Sequence, residues 1–253
     1  MLEITLLCGF SFLAGLIDSV AGGGGLIQLP ALFIVLPHLP VALLLGTNKL
    51  SSIAGTSIAS IQYAAHVDIS WRATFPATIA ALIFSFLGAR TVSMLNPGIM
   101  RPVILFLLVA IAIYTFIRKD FGTSHIPKLG HRWQFFFSVI TGTVIGFYDG
   151  FFGPGTGSFL IFVFISIFGF NFLSASASSK VINFATNLSA VLYFAFTDNI
   201  LYKIALPMAA FNILGSLVGT RLAILKGSRF VRVFFLIVVS GLIIKLAYDT
   251  FRL

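Results

Sequence analysis

Long apolar runs follow one another along almost the whole chain and are separated by short polar stretches. They cover residues 4–21, 26–37, 46–65, 71–94, 99–117, 133–152, 158–170, 177–197, 203–224 and 230–248. An α-helix needs about 20 apolar residues to cross a bilayer, and most of these runs are close to that length. The pattern predicts an all-α polytopic membrane protein with about 8–10 membrane segments.

Composition excludes an ordinary soluble domain. Only 9% of the 253 residues are charged and 58% are hydrophobic, whereas a soluble domain carries about 25% charged residues. The surface must therefore face lipid. The net charge of +9 does not indicate a nucleic-acid partner, because the Lys and Arg residues stand at the ends of apolar runs. Such positions are typical of helix ends at a membrane surface.

Two of the runs, 26–37 and 158–170, are too short to cross a bilayer easily, and each follows a glycine-rich break. The first break consists of Gly22, Gly23, Gly24 and Gly25, and the second of Gly153, Pro154, Gly155, Thr156 and Gly157. We expect half-helices or re-entrant segments that line protein or a cavity. A helix that restarts after a break presents free N–H groups and a positive dipole end, which favours anion binding. Close packing of small residues is the alternative, but it does not require such a run of glycines.

The second half of the chain repeats the first. One ungapped offset of 131 residues (149 less 18) aligns five pairs of like charge, although charged residues are rare. These pairs are Asp18 with Asp149, Lys49 with Lys180, Arg72 with Lys203, Arg90 with Arg221 and Arg101 with Arg232. We interpret residues 1–117 as repeat 1, 118–132 as a basic linker and 133–253 as repeat 2, all within one membrane domain.

Two orientations of the repeats are open. If each repeat crosses the membrane an odd number of times, the halves are inverted. Loops 118–132 and 221–232, which hold half of the 16 Lys and Arg residues, then lie together on the cytoplasmic side. Four crossings in each repeat would make the halves parallel and would weaken this charge bias. We favour inversion.

Lys49 and Lys180 occupy equivalent positions near the start of apolar runs. An ionisable side chain in a membrane segment is costly unless it is paired or hydrated, so it usually marks a pathway. Snorkelling to the interface does not explain the repeated position or the polar neighbours Asn48, Asn183 and Asn187. We expect both lysines to contribute positive charge to one anion site, together with the N–H groups of the helices that they begin.

Asp18 and Asp149 each lie four residues before a glycine break. An intramembrane carboxylate can carry a proton or can serve as the counter-ion of a lysine or arginine. Both roles are open, and a salt bridge that opens during transport would combine them. We therefore treat the two aspartates as candidates for coupling or gating.

The sequence contains no catalytic or cofactor-binding constellation. His38, His66, His125 and His131 lack metal-ligand spacing, and Cys8 stands alone. No nucleotide-binding fingerprint is present. We therefore expect neither an enzyme nor a bound cofactor or metal. The expected partners are a small anion, a coupling proton or ion, and the lipid bilayer.

These motifs and their spacing resemble the TauE/SafE sulfite exporter family, also called the 4-toluene sulfonate uptake permease group. In the first half the resemblance rests on Ala14-Gly15-x-x-Asp18-x-x-Ala21-Gly22-Gly23-Gly24-Gly25, Pro30 and Gly46-Thr47-Asn48-Lys49. In the second half it rests on residues 146–157 and on Lys180, Asn183 and Asn187. The resemblance covers almost the whole chain.

This resemblance implies a bacterial or archaeal inner-membrane protein with two repeats that transports sulfite or related organosulfur anions. Many members of the family have no assigned substrate, so the resemblance does not identify the cargo. We expect a secondary transporter that exports a small anion. A passive anion channel is the alternative, and an intramembrane enzyme or assembly factor fits less well because no catalytic set is present.

Overall fold

The computed structural model describes residues 2–91, 122 and 124–251, and most of them are helical. These ranges hold eight helices and no strand, which confirms the predicted all-α fold. The helices are α1 (Leu2–Ala21), α2 (Gly25–Val35), α3 (Val41–His66), α4 (Trp71–Thr91), α5 (His131–Phe151), α6 (Thr156–Ser166), α7 (Phe172–Phe196) and α8 (Tyr202–Phe251). The predicted run 99–117 lies outside the described residues, as do linker residues 118–121 and 123.

The helix α8 is divided at Gly227. Its φ of 69° and ψ of −169° are not helical, so two helices meet at this residue. The division falls between the predicted runs 203–224 and 230–248. A Cβ at Gly227 would meet no atom within 4 Å, so the position needs glycine for its backbone angles and not for space.

Apolar side chains cover the outside of the protein, and polar side chains are buried within it. Three stretches among the described residues are long and apolar enough to cross a bilayer, namely Glu3–Ala21, Trp71–Thr91 and Tyr202–Val238. The helices α3 and α7 are also long, with 26 and 25 residues, but they bury many polar side chains. Exposed apolar residues include Ile34, Phe75, Val144, Phe196 and Leu225. This inverted distribution is that of a protein whose solvent is lipid.

The helices α2 and α6 are the two half-helices that the sequence predicts. Each has 11 residues and spans about 16 Å, roughly half of the ~30 Å hydrocarbon core. Each follows a break that separates it from a long helix, α1 or α5. Positive φ angles at Gly22 (66°), Gly153 (91°) and Gly155 (83°) turn the chain at these breaks. Glycine adopts such angles without steric cost.

The helix positions support the predicted duplication. The starts of α2 and α6 are 131 residues apart (156 less 25), as are those of α3 and α7 (172 less 41) and of α4 and α8 (202 less 71). The helices also pack crosswise, with α1 against α8 and α4 against α5. Gly15 lies against the Asn212 carbonyl, and Gly146 lies against Ala81. The 131-residue offset relates Gly15 to Gly146 and Ala81 to Asn212, so the two contacts are equivalent. The duplication and the relative orientation of its halves remain predictions.

The two glycine breaks touch each other. Gly22 lies directly against Gly157, and a Cβ on Gly22 would overlap the Gly157 backbone. The Ser158 hydroxyl donates to the Ala21 carbonyl at 3.0 Å and also to the Gly22 carbonyl. The end of α1 is thereby joined to the start of α6. Any group carried by either break is consequently brought to one place in the protein.

We expect Gly22→Ala to destabilise the protein by about 2–4 kcal/mol, because alanine disfavours the left-handed backbone and its Cβ would overlap Gly157. The apparent melting temperature of the detergent-solubilised protein measures this. Gly9→Ala in α1 is the matched control, since a Cβ there meets no atom within 4 Å and alanine favours a helix. Equal melting temperatures for the two variants would contradict the contact between the breaks.

Candidate functional site

A small cavity lies where the two glycine breaks face α3 and α7. Its volume is about 30 Å³, which is room for one or two water molecules. It is lined by Ala14, Asp18, Gly23, Gly24, Gly25, Asn48, Lys49, Ser52, Asp149, Gly153, Gly155, Thr156, Gly157, Asn183, Asn187 and Asn212. Most of the predicted site residues therefore border one space. Gly22 and Pro154 lie within the breaks but do not line the cavity, and neither does Lys180.

The Asp18 carboxylate is bound at the start of a helix. Its Oδ1 accepts hydrogen bonds from the backbone N–H groups of Gly23 at 3.2 Å and Gly24 at 3.3 Å. Its Oδ2 accepts a hydrogen bond from Lys180 Nζ at 2.7 Å. The two N–H groups precede α2, whose dipole adds a further attraction for negative charge. The chain thus uses its first glycine break to bind a carboxylate of its own.

The second ion pair is more deeply buried. Lys49 Nζ donates to Asp149 Oδ2 at 2.7 Å, and these side chains are 3% and 6% exposed. Asp18 retains 24% exposure, whereas Lys180 has none. A Cβ at Gly153 would lie 3.1 Å from Lys49 Nζ, so the glycine leaves room for the pair. Asp18 is therefore the most accessible of the four charged groups.

Both ion pairs join the two halves of the chain. Lys49 of α3 pairs with Asp149 of α5, and Lys180 of α7 pairs with Asp18 of α1. Burial of a single unpaired charge among these helices would be costly, and the pairing removes most of that cost. The four charges sum to zero. The site therefore has no net charge while both pairs are formed.

The expectation that each lysine begins a helix is wrong. Lys49 is the ninth residue of the helix that starts at Val41, and Lys180 is the ninth of the helix that starts at Phe172. The polar residues before them are accommodated inside the helices. Thr47 Oγ1, for example, donates to the carbonyl one turn earlier at 2.7 Å. The N–H groups close to the charges come from the break before α2 and not from α3 or α7.

The amide side chains around the cavity have different environments. Asn187 Nδ2 donates to Thr56 Oγ1 at 3.4 Å. Asn48 and Asn183 are only 4% and 5% exposed. Nevertheless, no described residue donates to the Oδ1 atom of either side chain. Two buried acceptors are thus left without a donor from residues 2–91 and 124–251.

A buried polar cluster beside the cavity is absent from the predicted site. Asn212 Nδ2 donates to Gln28 Oε1 at 3.0 Å and to the Ser11 carbonyl at 3.2 Å. Ser11 Oγ lies 2.9 Å from Ser51 Oγ. At the 131-residue offset the four equivalent positions are Gly142, Phe159, Ile182 and Ala81. Because the cluster occurs in only one half, comparison of the repeats does not reveal it. The sequence indicates this cluster only by the polar residues that stand within otherwise apolar runs.

The site as a whole offers two cations, two carboxylates, several amides and the N–H groups of a helix start. This set can bind an anion by charge-assisted hydrogen bonds and can exchange it for a carboxylate of the protein. Within residues 2–91 and 124–251, no three His, Cys, Asp or Glu residues are grouped so that they could hold a metal ion.

We expect Asp149→Leu to destabilise the protein by about 3–5 kcal/mol, because it leaves the buried Lys49 charge unpaired. The double variant Lys49→Met with Asp149→Leu should recover most of that loss, since both charges are then removed. Thermal unfolding in detergent measures the cycle. Lys128→Met is the control, because Lys128 is exposed and its Nζ donates to the Ser166 carbonyl rather than to a carboxylate. A double variant that is less stable than Asp149→Leu would show that the pair is not coupled.

Comparison with known proteins places the chain in a family. The model of the family described as sulfite exporter TauE/SafE matches residues 7–246. A probable membrane transporter protein of Sinorhizobium sp., ORF9, is 36% identical over 239 residues, covering 94% of this chain and 90% of the relative. A probable membrane transporter protein of Haemophilus influenzae is 33% identical over 246 residues, covering 97% and 95%.

The probable membrane transporter protein YfcA of Escherichia coli K12 is 32% identical over 240 residues, covering 95% of this chain and 88% of the relative. No solved structure matches the chain. The family match spans both glycine breaks, both lysines and both aspartates. The chain belongs to the sulfite exporter TauE/SafE family of membrane transporters.

Proposed function

We propose that this protein is a secondary transporter that exports a small anion, such as sulfite or an organosulfur anion, across the inner membrane. The observation that carries the proposal is the environment of the Asp18 carboxylate. Lys180 Nζ and two backbone N–H groups hold it at the start of α2. A carboxylate and a small oxyanion are both negatively charged, and both accept hydrogen bonds through their oxygen atoms. Groups that bind the carboxylate are therefore suited to bind the oxyanion.

The proposed substrate displaces the aspartates from the lysines. With both pairs formed, the cavity of about 30 Å³ is too small for an anion with several oxygen atoms. Movement of Asp18 away from Lys180 both enlarges the space and exposes the ammonium group. Asp18 is the more accessible carboxylate, so we place the first exchange at this pair. Lys49, which lines the cavity, supplies the second positive charge.

Charge balance implies that protons move with the anion. The two ion pairs are neutral together, so a bound anion adds net negative charge to a buried site. Such a charge is costly unless it is compensated. Protonation of the displaced aspartate restores neutrality at each step. The other titratable groups nearby, Tyr63 and Tyr148, donate to the carbonyls of Ser19 and Pro154. The aspartates are therefore the proton carriers in this mechanism.

The sulfur chemistry of the cargo and the direction of export rest on the family description, which names sulfite export. The relatives are named only as probable membrane transporters. A lysine binds an oxyanion as a compact point charge, without the fixed two-pronged geometry of arginine. This suits a ligand that has to leave again. The geometry supports a small anion, and the family supports sulfite among the small anions.

We expect Lys49→Met and Lys180→Met each to weaken sulfite binding about tenfold or more, through loss of one charge-assisted hydrogen bond. Binding is measured by thermal shift on the purified protein, and sulfite flux is measured in proteoliposomes corrected for protein-free vesicles. Each variant is first checked for a monodisperse folded peak. Arginine at either position should restore binding more than turnover, and Lys128→Met is the control. Parental binding and flux in both folded methionine variants would exclude the lysines from the site.

We expect sulfite flux to carry protons and to be electrically neutral. A pH dye inside proteoliposomes should report proton movement that depends on sulfite, and the flux should not respond to a potassium-valinomycin voltage clamp. Asp18→Asn cannot take up a proton, so it should retain sulfite binding and lose the coupled proton movement. Sulfite flux that follows voltage and continues without proton movement would favour the passive-channel alternative.

A further inference from the structure

Two buried amide oxygens beside the lysines have no role in the proposed anion exchange. They are Asn48 Oδ1 on α3 and Asn183 Oδ1 on α7, and both residues line the cavity. Asn48 directly precedes Lys49, and Asn183 lies one helical turn after Lys180. Each lysine therefore has an asparagine within one turn of it along its helix.

We infer that the site selects anions that themselves carry a hydrogen-bond donor, an N–H or O–H group, in preference to anions that carry only acceptors. This inference rests on the proposed anion transport and specifies the class of anion. A buried carbonyl oxygen without a donor is unusual in a folded protein, because the lost hydrogen bond is costly. The two asparagines are only 4% and 5% exposed, so bulk water does not compensate them.

Three donors that neighbour these asparagines along α3 and α7 are committed to other groups. Lys49 Nζ bonds to Asp149, and Lys180 Nζ bonds to Asp18. The Ser179 hydroxyl donates to the Gly157 carbonyl at 3.3 Å. A substrate that displaces the aspartates accepts the lysine hydrogen bonds with its own oxygen atoms. This exchange brings no donor to the two amide oxygens. Their donor then comes from the substrate.

An anion with donors fits both parts of this site. Its charged oxygens bind the lysines, and its N–H or O–H group donates to Asn48 or Asn183. A fully deprotonated oxyanion brings only acceptors, so it cannot supply a hydrogen bond to either amide oxygen. The site discriminates between ligands because the disfavoured ligand leaves a buried acceptor of the protein without a hydrogen bond. Protonated oxyanions and aminosulfonates belong to the favoured class, and donor-free sulfonates belong to the disfavoured class.

The decisive measurement compares two probes that differ in one group. Sulfamate and methanesulfonate are both monovalent sulfur oxyanions of nearly the same shape, but sulfamate has an NH₂ group where methanesulfonate has a CH₃ group. Titration calorimetry on the purified wild-type protein should give sulfamate a Kd about tenfold lower, the value of one hydrogen bond to a buried group. Bicarbonate and acetate form a second pair, with O–H in place of CH₃, and should differ in the same direction.

Serine variants test which residues cause the preference. The positions equivalent to Asn48 and Asn183 at the 131-residue offset are Ser179 and Ser52, so the fold already holds serine at both kinds of position. A serine hydroxyl donates as well as accepts. Asn48→Ser and Asn183→Ser should therefore reduce the sulfamate preference, each by about threefold or more. Asn199→Ala is the control, since this amide bonds within the loop after α7 and does not line the cavity.

The outcomes separate this inference from the proposed function. If methanesulfonate binds as tightly as sulfamate, the donor preference is wrong while anion binding stands. If neither anion binds while sulfite does, the donor preference is wrong and the proposed function stands; if sulfite does not bind either, both proposals are wrong. If the preference persists unchanged in both serine variants, its assignment to the two asparagines is wrong. The comparison on the wild-type protein decides the donor preference even when a variant does not fold.

Discussion

The two crossed ion pairs, Lys49 with Asp149 and Lys180 with Asp18, are the interaction on which the rest of the structure depends. Charges in a lipid-facing protein must be neutralised internally, because water is not available along most of the chain. Each pair joins a long polar helix of one half to the helix before a glycine break in the other half. The breaks, the half-helices and the cavity are therefore positioned by the same charges that are candidates to bind the substrate.

The contact between the glycine breaks accompanies these ion pairs. In the structure the end of α1 and the start of α6 approach each other closely. Gly22 and Gly157 allow this approach because neither has a side chain. The N–H groups of Gly23 and Gly24, directly before α2, then bind the Asp18 carboxylate. The first glycine break thus serves both the packing of α1 against α6 and the binding of the Asp18 carboxylate. A substitution in this break would disturb both.

Much of this arrangement could be predicted from the sequence, and the remainder has identifiable causes. Apolar runs predicted the helices, and glycine runs predicted the breaks before α2 and α6. The offset that relates Lys49 to Lys180 also singled out the charged residues. The start of α3 at Val41 was not foreseen, because buried polar residues such as Thr47 resemble a loop in composition. The cluster around Asn212 escaped the repeat comparison, because its equivalent positions are apolar. Which lysine meets which aspartate depends on tertiary packing that local patterns do not encode.

Crosswise pairing also bears on the origin of the chain. A protein consisting of one repeat alone would bury a lysine and an aspartate that its own fold keeps apart, since in the present structure each charge finds its partner only in the other half. In such a protein the two charges would be paired in a dimer, with the lysine of each copy meeting the aspartate of the other. Fusion of two copies into one chain would then free the two halves to diverge. If the halves arose in this way, the polar cluster around Gln28, whose equivalent position in the second half is Phe159, is a difference of the kind that such divergence would produce.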